Sequence, residues 1–494
     1  MNPEKAYAEL ITLSRERSVL GSTLGILQWD AEIIMPRDGL KHRGDQMAML
    51  AGIVHDRGTN PRIGELLSEI EGTPLVSDPD SVEAVNVREL RRDFDRETKL
   101  PRELVEELSR VHAHSQQAWS EARDKDQFKL FQPWLDRTFT LAREKADAMG
   151  YEDVRYDALL DDYEPLMTTA KVSALFAELG PQLIPIVDSL RDRPTPELHK
   201  EFPVERQRAF AEEIAESVGF DAAGGRFDLG PHPFCSTIGP GDVRIASRYD
   251  ARNFANGFLG VMHEAGHALY EQGIDPAHYG TPMGEAVSLG VHESQSRTWE
   301  NLVARTNGFW QHVFPRLERS FKSELEGVSL EGFRKSLNHV APGPIRVEAD
   351  EVTYNLHILI RFELERALLD GDLKAADLPG AWTERYQHYL GITPDSDATG
   401  CLQDIHWSEG LIGYFPTYTL GNVYAAQLFE AAEKAVGPLE ESFAAGEFGP
   451  LREWLRENVH RHGRRYAAAR LIERVTGSAP NPAPMVASLL HRYG

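Results

Sequence analysis

Apolar side chains recur along most of this chain at intervals of three and four residues, the period of an amphipathic helix. Leu10, Leu13, Leu20, Leu24 and Leu27 share one stripe of a first helix, which Pro36 and Gly39 bring to an end. Further helical segments are expected over about 82–124, 127–149, 169–190 and 204–219, with joints such as Leu100-Pro101 and Gly180-Pro181 between or within them. One stretch departs from the pattern. Residues 224–250 are dense in Gly and Pro, and from Asp242 to Tyr249 they alternate with period two. That predicts a strand with Val243, Ile245 and Tyr249 towards a core and Asp242, Arg244, Ala246 and Arg248 on the other face. Helical patterning then resumes to the C-terminus. The expectation is a mainly α chain with one small β-sheet, organised as a single unit over 1–494: a helical body (1–220), a small β region (224–250) and a second helical part (251–494). No internal repeat and no Pro-, Gly- and Ser-rich linker marks a domain boundary.

Composition narrows what such a chain can do. Of 494 residues, 41% are hydrophobic and 26% charged, ordinary globular usage that supplies a sizeable core and excludes a disordered chain. Against 53 Lys+Arg stand 77 Asp+Glu, a formal charge of −24, and no basic run interrupts it. Nucleic acid and anionic membrane surfaces are therefore not the expected partners. The N-terminus lacks a basic start and an apolar run, and no segment reads as a bilayer span, so a cytoplasmic protein is expected. Cys235 and Cys401 are expected to be reduced, buried thiols.

The chemistry is concentrated in His263-Glu264-Ala265-Gly266-His267, inside a segment where Phe254, Phe258, Met262, Ala265 and Leu269 keep helical spacing up to a stop at Gly273. Two His one turn apart can both reach a single Zn²⁺ at about 2.0–2.1 Å. Glu264 between them is placed to accept a proton from the water that the cation acidifies and to pass it to a leaving amine. With 18 His in the chain, such a pattern arises by chance in roughly one sequence in twenty, so a third donor decides the matter. Glu293 supplies it, on another helical segment 26 residues after His267. That gap allows a turn and a returning helix, and it leaves a fourth tetrahedral position for water. His292 is the rival donor, but it points about 100° away from its neighbour.

Further motifs surround this one. His232-Pro233-Phe234, Asp242-Val243-Arg244, the run from His263 to His267, His292-Glu293-Ser294-Gln295, Ile345-Arg346-Val347-Glu348-Ala349-Asp350 and Gly400-Cys401-Leu402-Gln403-Asp404-Ile405-His406-Trp407 follow one another in order, preceded by Gln28-Trp29-Asp30 and Met35-Pro36. With these the chain resembles, over nearly its whole length, the carboxypeptidase Taq family of zinc metallocarboxypeptidases. The resemblance implies an almost entirely helical fold like that of thermolysin-related oligopeptidases, with a long substrate cleft. It also implies one Zn²⁺ per chain, replaceable by Co²⁺, a homodimer, and release of single amino acids from peptides with a free C-terminus, with broad side-chain tolerance. One position departs from the family: its strand motif ends in Thr, where this chain has Ala246.

An exopeptidase must recognise a terminal carboxylate, which Arg binds best through a paired, charge-assisted contact. Arg346 is the first candidate, with an ion pair to Asp350 at i+4 as its structural alternative. Arg244 is the second, its alternative being a pair with Asp242. Asp350, Tyr354, His357, Arg361 and Glu365 make a polar stripe that suits a solvated face or, preferably, the lining of a cleft. Charge developing on the carbonyl oxygen needs donors aimed at it. His406, oriented by Asp404 or Gln403, and Tyr414 and Tyr418 in a Gly- and Pro-bearing loop fit that need, packing being the alternative for each Tyr. His232 is placed to contact substrate or to serve as a turn residue before Pro233. An endo-acting zinc oligopeptidase of the same helical architecture is the runner-up, and an inert scaffold a third possibility.

Overall fold

Local chemistry starts the first helix where the sequence says it should: Asn2 accepts a hydrogen bond from the Glu4 amide at 2.8 Å and Pro3 opens the helix. The computed structural model describes residues 2–194, 198 and 200–493. In chain order the elements are α1 (Pro3–Ile33), α2 (Leu40–Gly58), α3 (Pro61–Ile70), α4 (Val82–Lys99), α5 (Arg102–Asp124), α6 (Phe128–Met149), α7 (Arg155–Leu160), α8 (Thr169–Leu190) and α9 (Val204–Val218). A small sheet follows, β1 (Gly225–Leu229), β2 (Phe234–Gly239) and β3 (Asp242–Ser247). Then come α10 (Phe254–Gly273), α11 (Leu289–Arg297), α12 (Asn307–Ser320), α13 (Leu330–Leu337), α14 (Tyr354–Asp370), α15 (Leu378–Leu390), α16 (Pro416–Val436), α17 (Leu439–Ala445), α18 (Gly449–Asn458), α19 (Ala468–Thr476) and α20 (Ala483–Tyr493).

Packing divides the chain into two units, one of Met1–Thr98, Pro196–Leu337 and Leu428–Gly477, the other of Lys99–Thr195, Asn338–Gln427 and Ser478–Gly494. In the first unit, α1 docks through its N-terminal end. Ala6 and Leu10 join Ile63, Leu66, Leu67, Ile70 and Val87 in one cluster. Of the stripe expected to drive α1 into a core, Leu10 is buried there and Leu13 packs against it half-buried, whereas Leu20, Leu24 and Leu27 stay only partly covered.

The sheet has the order β1-β3-β2, with β1 parallel and β2 antiparallel to the central β3. Val243 and Ile245 are buried as the alternation predicts, and β3 packs on α10. Ala246, expected on the outer face, is buried as well. That face is covered by α1: a Cβ on Gly230 would lie 3.2 Å from the Ala246 methyl and 3.1 Å from Ile33. The N-terminal half of α10 is anchored by aromatic contacts, Phe254 on Phe202 and Phe321, and Phe258 on Trp310, with ring centres 5.2–5.7 Å apart in the pairs among Phe202, Phe254 and Phe321 and 5.3 Å for Phe258–Trp310.

In the second unit, α8 corrects two expectations. It runs unbroken through Pro181 and Pro185, because the buried face of Leu175, Phe176, Leu179, Leu183, Ile186 and Val187 outweighs the backbone bonds the prolines remove. It is also 22 residues long and apolar enough to cross a bilayer by length and composition. Here that apolar face packs against α7, α14, α15 and α20.

Candidate metal centre

Helix α10 carries His263, Glu264 and His267, and α11, capped at its start by Ser288 on the Val291 amide, carries Glu293. The two helices approach unusually closely at Gly266, where an added Cβ would lie 2.5 Å from the Gln295 carbonyl oxygen and 2.6 Å from Ser296 Cα. Only a glycine allows that approach. It brings Glu293 Oε2 to 3.6 Å from both His263 Nε2 and His267 Nε2. One atom from each of the three residues lies within 4.8 Å of the other two. Donors on a tetrahedral Zn²⁺ at about 2.1 Å stand roughly 3.4 Å apart, so the three residues fit such an ion.

The far sides of both rings show which nitrogens are free. His263 Nδ1 donates to Glu300 Oε2 at 2.8 Å, and His267 Nδ1 to the His292 carbonyl at 3.1 Å. A carboxylate and a carbonyl only accept, so each Nδ1 carries a proton and each Nε2 faces Glu293, where it can offer its lone pair to a cation once deprotonated. Glu293 accepts in turn from Arg297 Nε at 2.7 Å. The rival donor, His292, turns its own Nε2 to Glu271 at 2.9 Å and stacks on His267. Burial would lower the His263 pKa, but Glu293 and Glu300 outweigh it and raise it to about 9, so a cation bound here takes the place of the Nε2 proton. Burial pushes the neighbouring carboxyl of Glu264 up to about 7.

Glu300 and Arg297 were not singled out from sequence. Their signal was available, at i+7 and i+4 from Glu293, but a charged residue at those offsets is commonplace on any helix. The π-helical turn Thr298–Val303 that carries Glu300 has no sequence signature.

The remaining candidates divide between the two units. In the first unit, His232 is exposed on the turn between β1 and β2. Arg244 takes its structural alternative, a two-pronged pair with Asp242 at 2.7 Å, with its guanidinium 4.4 Å over the ring of Trp29. In the second unit, Arg346, His406, Tyr414 and Tyr418 do come together, but not as expected. Arg346 is 5% exposed and committed to Asp404 at 2.8 Å, to the Tyr354 hydroxyl and to the faces of Phe415 and Tyr418. It is not presented as a free dock for a carboxylate, and its partner is not Asp350, which caps the turn at Val352 and Thr353 instead. Asp404 also binds Arg361 at 2.7 Å, and Gln403 binds the Pro344 carbonyl at 2.9 Å. Neither orients His406. Its Nε2 meets the Tyr418 hydroxyl at 3.2 Å, and burial together with Arg346 pushes its pKa down to about 3, leaving it neutral at pH 7. Tyr418 lies in the first turn of α16 rather than in a loop. The polar stripe of α14 is neither solvated nor an open lining: Tyr354, His357 and Arg361 are buried in one hydrogen-bonded network with Arg346, Asp404 and Tyr386, and Glu365 is buried in a second with Tyr156, Trp407 and the Gly413 amide.

Two imidazoles and a carboxylate converging on one point, with a buried carboxyl beside them on the same helix, define a metal-dependent hydrolase site. Comparison with known proteins gives the family. The model of the carboxypeptidase Taq (M32) metallopeptidases matches residues 9–493. Thermostable carboxypeptidase 1 of Thermus thermophilus is 49% identical, covering 100% of this chain and 99% of its own. Carboxypeptidase 1 of Bacillus subtilis is 35% identical over 98% of this chain and 97% of its own. The crystal structure of the M32 carboxypeptidase from Deinococcus radiodurans R1 superposes with a TM-score of 0.96 at 40% identity, over 99% of both chains. The chain belongs to the carboxypeptidase Taq family of metallopeptidases and is a peptide hydrolase.

Proposed function

We propose that this chain is a zinc carboxypeptidase that removes single amino acids from peptides with a free C-terminus, using His263, His267 and Glu293 as the metal ligands and Glu264 as the general base. The observation that carries the proposal is the pair of Nε2 atoms turned on one carboxylate oxygen at 3.6 Å each, with both Nδ1 atoms tied off behind them. Zinc in such a donor set supplies Lewis acidity, lowering the pKa of a water towards 7 and polarising a carbonyl. Cobalt suits the same nitrogen and oxygen donors.

Glu264 takes a proton from the attacking water and delivers it to the amine that leaves as the C–N bond breaks. Its buried carboxyl sits between the two His on α10, where it can accept that proton and return it. The products are one amino acid and a peptide shorter by one residue. A homodimer and a cytoplasmic location belong to the same proposal. Light scattering would test the assembly.

The test of the activity follows an unblocked peptide, its C-terminally amidated twin and metal-stripped enzyme by mass spectrometry. Stepwise loss from the free C-terminus, absent with the amide and absent without metal, is expected. Equal cleavage of the amidated peptide at internal bonds would establish an endo-acting oligopeptidase instead.

A further inference from the structure

Every proposed metal ligand is held from behind by one stretch of chain, residues 292–300. His263 Nδ1 donates to Glu300 at 2.8 Å, Arg297 Nη1 donates to the same Glu300 oxygen at 3.1 Å, and Arg297 Nε donates to Glu293 at 2.7 Å. A continuous relay thus joins two of the ligands through two groups that are not ligands. The third, His267, donates to the carbonyl of His292, the residue before Glu293. Glu300 reaches His263 from the π-helical turn that continues α11, and this turn packs on α10.

The geometry of this relay goes beyond a surface ion pair. The side chains of Arg297 and Glu300 are 12% and 14% exposed, and together they carry no net charge. Arg297 keeps two nearby carboxylates, Glu293 and Glu300, from repelling each other. Glu300 fixes both the rotation and the tautomer of His263. Without an acceptor at Nδ1 the ring proton is free to move to Nε2, the atom that must offer its lone pair forward.

We propose that Glu300 and Arg297 are positioning residues for the metal, a proposal that rests on His263, His267 and Glu293 being its ligands. Glu300 holds His263 in the metal-binding tautomer, and Arg297 locks Glu300 to Glu293, so the site is assembled before the ion arrives. An ion pair that merely stabilises the helix would alter melting and leave metal release unchanged.

The test measures transfer of zinc from the loaded enzyme to a chromophoric chelator, for the parent and for Glu300→Gln, Glu300→Ala and Arg297→Lys, with circular dichroism to check the fold. Glu300→Ala should weaken metal retention by roughly 10–100-fold, the usual effect of removing such an orienting group. Glu300→Gln should fall in between, because its amide can accept from His263 only by turning its NH₂ towards Arg297. The absorption spectrum of the cobalt-loaded variants should shift relative to the parent. Metal release within about twofold of the parent in both Glu300 variants would overturn the proposal. If Glu300→Ala fails to fold, the near-isosteric Glu300→Gln decides alone. A parent that retains no metal would instead sink the underlying ligand assignment, so the two failures are distinguishable.

Discussion

Gly266→Ala probes how the site is built, because the substitution adds one methyl at the contact between α10 and α11. The new Cβ would lie 2.5, 2.6 and 2.9 Å from Gln295 O, Ser296 Cα and Gln295 C, all backbone atoms that no rotamer change can move away. Ordinary contact needs about 3.4 Å or more, so the helices must separate by roughly 1 Å. Glu293 rides on the displaced helix, two residues from Gln295. Its separations from the two Nε2 atoms, now 3.6 Å, would grow past what donors on one zinc ion can span. Alanine is intrinsically the better helix former by about 1 kcal/mol, which partly masks the overpacking cost of about 1–3 kcal/mol in melting experiments. Metal affinity is therefore the better readout. A displacement of this size should reduce it, and turnover with it, on the order of 100-fold. Isothermal titration of the metal-free protein with zinc, alongside peptide turnover, measures both. Parental affinity and turnover in Gly266→Ala would refute the argument that close helix approach assembles the site.

Three further outcomes follow from the same geometry. Glu264→Gln should keep its metal and lose turnover by about 10²–10⁴-fold; full activity in a metal-replete Glu264→Gln enzyme would remove the proposed base. Asp404→Asn leaves the buried Arg346 and Arg361 without their shared anion and should cost about 3–5 kcal/mol at pH 7 in urea unfolding. Burial would raise the Asp404 carboxyl, but Arg346 and then Arg361 hold it well below the usual range. The parent's advantage should therefore be full above about pH 4 and shrink only as pH falls further; a difference independent of pH down to strong acid would count against this. Burial pushes Glu365 up to about 7, so the folded chain keeps a proton that the unfolded chain has released. Parental stability should then fall as pH rises from about 4.5 to 7, by up to about 1.4 kcal/mol per unit, and Glu365→Gln should remove that slope; an unchanged slope contradicts the assignment.

How much of this was legible in the sequence depends on the distance between partners along the chain. Local periodicity placed α10 to its last residue at Gly273 and found β3 within two residues, since both rest on neighbouring side chains sharing a face. The pairing of His263 with His267 was legible for the same reason, the two lying one helical turn apart, whereas the approach of Glu293, 26 residues further on, depends on how α11 packs on α10. The sheet's parallel pairing of β1 with β3, across an intervening β2, was not, and neither was the second cover that buries Ala246. Arg346 shows the limit most clearly. Spacing offered Asp350 four residues away, whereas the fold supplies Asp404, 58 positions on. The α14 stripe misled for a related reason: a polar face satisfied by other buried polar groups has the same periodicity as one facing water. Gly266 was legible as part of a motif, but its role was not, because a glycine's neighbours across a helix contact leave no trace in the chain around it.

The proposed chemistry requires one cation gripped by His263, His267 and Glu293. Anomalous diffraction at the zinc edge from crystals of the metal-replete protein tests it most directly. A single peak is expected about 2.0–2.2 Å from both Nε2 atoms and from a Glu293 oxygen, with one coordination position open to solvent. A peak elsewhere, or one that leaves the Glu293 carboxylate beyond about 3 Å, would contradict it.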